Sequence, residues 1–153
     1  MSALIEKDIE ESVAALLRSR LHSVRIGTTW EQSPAGEVKG EEHVEDDAVI
    51  AVAASAPQWD AWLVPACTVA VALAVSVRRE VAPDAAALAA IMEPISNLLI
   101  ALQLDVAACE PLSSQNFSCD GVRSDGGPPP TFVDKSNVWR VARSLTLRGV
   151  VVQ

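Results

Sequence analysis

From Cys67 to Val77 large and small side chains alternate without a break. Cys67, Val69, Val71, Leu73, Val75 and Val77 fall on one parity, and Thr68, Ala70, Ala72, Ala74 and Ser76 on the other. Successive Cβ atoms of a strand point to opposite faces, so a period of two held this long predicts a strand, here read over Ala66 to Val81. Its bulky face needs a core. Its small face is neither charged nor bulky, which suits something packed closely over it.

Two helices can supply the cover. Ile5, Ile9, Val13, Leu16, Leu17 and Leu21 recur at helical spacing and predict a helix over Ser2 to Leu21. Glu6, Asp8, Glu10 and Glu11 lie in its first half and Arg18 and Arg20 in its last turn, which complements the helix dipole. Leu88, Ile91, Met92, Ile95, Leu98, Leu99 and Leu102 predict a second helix over Asp84 to Gln103, with Asp84 as N-cap. Pro94 lacks a donor and should kink or split it.

Shorter strands are expected at Ser23 to Thr28 and Ala48 to Ala54, and a long closing strand at Asn137 to Val152. In the last, Trp139, Val141, Leu145 and Leu147 face one way, with Trp139 read as core. Two long loops separate these elements. Residues 29–47 are polar and acidic, and residues 110–136 carry the run Pro128-Pro129-Pro130 and only a short strand near Phe117 to Cys119. The expectation is one α+β domain over 1–153: a mainly antiparallel sheet with two helices on one face, in the order α-β-β-β-α-β.

Charge and cysteine content narrow the function. A formal net charge of −8 repels phosphate backbones, which argues against specific nucleic-acid binding, although Arg140, Arg143 and Arg148 cluster near the C-terminus. Three cysteines, Cys67, Cys109 and Cys119, form no even disulfide set and no C-x-x-C pair, so free thiols in a reducing cytoplasm are expected. Residues 63–77 are too short to cross a bilayer, and 85–102 carry Glu93, Pro94, Ser96 and Asn97, so no membrane span is expected.

No constellation points to chemistry. His22 sits at a helix C-terminus, where capping is the plain role. His43 lies among acids whose spacing matches no calcium loop. No serine sits in a nucleophile elbow, and no glycine run leads into a G-K-S/T. Adjacent acids such as Glu10-Glu11 read as solvated. The expectation is therefore no enzyme, no metal and no cofactor. Contact residues are sought instead in Trp30, Trp59 and Trp62, which lie on loops as hot spots or as a plug, and in the small strand face Ala70, Ala72 and Ala74.

The element order resembles that of the tail terminator (minor tail, tail completion) proteins of long-tailed phages. The matching pieces are the leading helix, the strand Ala48-Val49-Ile50-Ala51-Val52-Ala53, the strand Cys67 to Val77, the helix Asp84 to Gln103, and W-R-V-A-R-S-L-T-L-R-G-V-V at Trp139 to Val151. The resemblance covers most of the chain. The insertion before Pro130 and the apolar small face depart from the pattern. It implies a structural virion protein assembled in the host cytoplasm, a hexameric ring that caps the tail tube and meets the head connector in the neck. Other tail or head–tail connector components share the pattern, and an acidic intracellular protein-binding module is the competing reading.

Overall fold

A computed structural model describes residues 5–29, 48–59, 66–104 and 106–152. The chain opens with α1 (Ile5–Arg20), followed by β1 (Val24–Thr28), β2 (Ala48–Ala54), the two-residue β3 (Gln58–Trp59) and β4 (Ala66–Arg78). Then come α2 (Ala85–Leu104), a single 3-10 turn at Val106–Cys109, β5 (Phe117–Asp125), β6 (Thr131–Val133) and β7 (Val138–Val151). One open sheet runs β1-β2-β4-β7-β5, with β3 extending beside β4 and β6 beside β7. β1 pairs with β2 in parallel and every other pairing is antiparallel, so the sheet is mixed. The fold is α+β and mainly sheet.

The alternation from Cys67 to Val77 does what its period requires. All six bulky residues are at most 1% exposed, while Ala70, Ala72 and Ala74 between them are exposed. The bulky face joins Ile50 and Val52 of β2 and Val141, Leu145 and Leu147 of β7 in one core. Ile9, Val13 and Leu17 of α1 and Leu88, Ile95 and Leu99 of α2 close it from the helical side. Burying a Val or Leu side chain is worth about 1.5–3 kcal/mol, so this single layer of contacts is what holds helices to sheet.

Asp84 caps α2 as expected: its Oδ1 accepts from the backbone N–H of Ala87 at 2.9 Å. Pro94 does not split the helix, which continues to Leu104. The acceptor it leaves unserved is the carbonyl of Ala90, on the solvent side, where water can replace the lost donor. By length and composition α2 could cross a membrane. Here its leucine stripe lies on the core.

The region 106–136 corrects the expectation of a second long loop. It contains the nine-residue β5, of which at most Phe117 to Cys119 was expected as strand, the short β6 and the 3-10 turn. The α-β-β-β-α-β order therefore lacked β5 and β6 here, as it lacked β3 between β2 and β4. A bulge between Cys119 and Gly121 hid β5. Phe117 and Cys119 turn to the core two apart, but the next residue packed against it is Val122, three further on. A bulge shifts the period of two by one residue, which erases the sequence signal. Phe117 is fully buried because β7 offers Gly149 beneath it: a Cβ there would lie 2.7 Å from the ring and 2.2 Å from the Ser118 carbonyl oxygen. The expected loop 29–47, apart from Thr29, lies outside the described residues.

Candidate interaction face

Among the described residues no helix or second sheet covers the side of the sheet away from the helices, and its composition is unusual. The register places Gly27, Ala51, Ala74 and Ala142 in one row across four strands. The next row is Ala53, Ala72, Ser144 and Asp125, and then come Ala70, Thr146 and Arg123. Ala51, Ala70, Ala72, Ala74 and Ala142 are exposed. The centre of the face is thus a floor of methyl groups, walled beside Ala142 by Pro128, Pro129 and Thr131, which with Ala74, Ser76 and Arg140 line a recess of about 200 Å³.

Arginines border this floor. By strand alternation Arg25, Arg78, Arg123, Arg140 and Arg148 all project on this side. Among the described residues only Asp120 and Asp125 oppose them here: Arg148 Nε donates to Asp120 at 2.8 Å and Arg123 Nε to Asp125 at 2.8 Å. The Thr146 hydroxyl also donates to Asp125, and this bond, followed by Arg123, holds the Asp125 carboxyl below its ordinary value. Counted over the described residues, five arginines against two aspartates give the face +3, on a chain whose formal charge is −8.

The sequence-predicted contact residues divide. Ala70, Ala72 and Ala74 are brought together at the centre of the open face. Trp59 is not with them: it pairs with Cys67, which puts it on the helical side at the rim, 55% exposed. It is not a plug. Trp30, Trp62 and His43 lie outside the described residues. Trp139, expected as core, is only half-buried; its indole N–H donates to the Ala82 carbonyl at 2.8 Å and its ring meets Phe132 edge-on at 5.2 Å. The C-terminal arginines do not act as one cluster, since Arg143 lies on the helical side and donates to the Ala142 carbonyl at 2.8 Å. There it rims a groove of about 450 Å³ between α2 and β7, floored by Leu88, Met92 and Trp139.

Glu10 was missed. Read as solvated, it is 2% exposed. Its carboxylate accepts from the Thr29 N–H at 3.0 Å, the Thr29 hydroxyl at 2.8 Å and the Ala54 N–H at 2.8 Å. It therefore ties α1 to the ends of β1 and β2. Helical spacing carried the signal, because Glu10 follows Ile9 and precedes Val13 on the apolar arc.

None of the three cysteines is in a disulfide, and Cys67 and Cys119 flank Gly149 in one row of the sheet. Ser113 Oγ donates to the Cys109 carbonyl at 2.8 Å and accepts from the Cys119 N–H at 2.9 Å, which pins the 3-10 turn to β5. Burial, and then the neighbouring Cys109, push the Cys119 thiol up to about 12. An unfolded cysteine releases its proton near pH 8.5. Above that pH the unfolded chain binds fewer protons than the folded one, so stability should fall as pH rises from about 8.5 toward 12. Urea midpoints between pH 7.5 and about 10 should therefore decline more in the wild type than in Cys119→Ala. Equal slopes would show that this thiol does not carry the effect.

Among the described residues no group of three or more His, Cys, Asp or Glu side chains is placed to hold a metal ion. Compared with known proteins, the chain matches no protein-family model and no curated protein.

Proposed function

We propose that this chain is a structural assembly subunit of the phage tail terminator kind, closing into a hexameric ring that caps a tail tube and offers a surface to the head connector. The observation that carries this reading is the uncovered sheet face. A small domain seldom leaves a broad floor of methyl groups to water unless a partner covers it. The element order that resembles the tail terminators adds the kind of assembly. Contacts between two different faces of identical subunits form a ring when the rotation closes.

Native mass spectrometry and light scattering of the purified chain test it. The expected result is a hexamer, or a concentration-dependent mixture that converges on it. Added to a polymerising tail-tube protein, the chain should stop tube growth. A chain that stays monomeric at high concentration and leaves tube length unchanged would overturn the proposal.

A further inference from the structure

Among the described residues, the second unpartnered surface is the outer side of α2. Ala86, Ala90, Glu93, Asn97, Ala101 and Leu104 follow one another at helical spacing along it, and all are exposed. Glu93 is the only charged residue of the helix. Ile100, 53% exposed, and Leu104, 77% exposed, leave large apolar side chains in water beside it. The outer side of α1, by contrast, carries Glu11 paired with Lys7 and is an ordinary solvated face.

We propose that the outer face of α2 of one copy docks on the open sheet face of the next, completing an α/β/α sandwich between subunits. The inference rests on the self-assembly proposed above and specifies the contact. Size fits: a helix of 20 residues is about 30 Å long, and five strands span roughly 20 Å. Shape fits, because the methyl floor of the sheet and Ala86, Ala90 and Ala101 along the helix let the two approach closely. Charge fits as well. Asp84 and Glu93 are the charges of the helix and its cap, and the sheet face that would receive them is bordered by arginines, at net +3 among the described residues.

Charge also decides against the simplest alternative. Two copies packed sheet to sheet would set +3 against +3 across a low-dielectric contact, where like charges cost most. The proposed contact joins two different faces, so each subunit keeps one of each free for its neighbours. That is the geometry of a closed ring or a filament, never of an isolated dimer.

The logic of two unlike faces gives a test by mixing. Ala72→Arg puts a long cation at the centre of the sheet floor, and Ala101→Lys puts one on the helix face; both positions are exposed, so circular dichroism should show both variants folded. Each variant alone should be monomeric by native mass spectrometry. Mixed in equal amounts they should form a heterodimer and stop there, since the intact helix of Ala72→Arg meets the intact sheet of Ala101→Lys and the remaining faces are both blocked. If either variant alone assembles as the wild type does, or the mixture stays monomeric, the contact is wrong. A wild-type ring with those outcomes leaves the ring reading standing, whereas a wild type that stays monomeric and leaves tube length unchanged overturns both. Flotation separates a lipid occupant from a second copy: wild type should not rise with phosphatidylcholine–phosphatidylglycerol vesicles, and co-flotation would assign α2 to a membrane surface and overturn the proposal.

Discussion

Val71→Asp should yield no soluble folded protein. Val71 is 0% exposed at the middle of β4, paired with Ala54 on one side and Leu145 on the other. The described residues that form the core around it are apolar, and burying an unpaired carboxylate costs several kcal/mol or forces it to stay protonated. Since small domains are stable by about 5–15 kcal/mol in total, a loss of this size removes most of the margin. Its neighbour supplies the control. Ala72→Asp points into solvent, and within an isolated subunit it should change stability by less than about 0.5 kcal/mol. Expression, circular dichroism and urea melts of the pair read the result. Equal stability for the two would mean that the strand does not present Val71 to the core.

Glu10→Ala should be the most damaging change of a polar residue. The substitution leaves the N–H groups of Thr29 and Ala54 without their acceptor at a site where α1 closes over the ends of β1 and β2. Hydrogen bonds to a charged group contribute about 1.5–3 kcal/mol each, and Thr29 is exposed enough for water to replace part of the loss. The expected cost is therefore about 2–3 kcal/mol, read as a lower urea midpoint at unchanged slope. Glu10→Gln keeps the size and one acceptor but turns an amide toward donors, so it should fall between wild type and alanine. Exchange of the Ala54 amide should quicken in both. A cost below about 0.5 kcal/mol would show that the carboxylate only shares these donors with water.

The two experiments probe different levels of legibility. Val71 could be placed in the core from spacing alone, because a period of two is a local property of the chain and one face of a long apolar strand must be covered. The same holds for the leucine stripe of α2 and for Asp84 as its cap. Glu10 could not be placed that way. Its position on the apolar arc of α1 was visible, but a carboxylate is tolerated there only because Thr29 and Ala54 arrive from two strands to bond it. That meeting joins residues 19 and 44 positions away.

By itself the sequence determined the two helices, the strands β1, β2, β4 and β7, and the division of β4 into a bulky and a small face. These rest on side-chain periodicity, which does not depend on what lies beside the element. Only the tertiary structure decided which strands are neighbours, that β1 joins β2 in parallel, and that β5 exists despite its bulge. It also decided that the small face of β4 continues across β2 and β7 as one floor ringed by arginines. Those arginines are spread over four strands, Arg25 on β1, Arg78 on β4, Arg123 on β5 and Arg140 and Arg148 on β7, and nothing local marks them as one border. Pairing register brings them to one side of one sheet, and register is a relation between distant segments that no stretch of sequence carries alone.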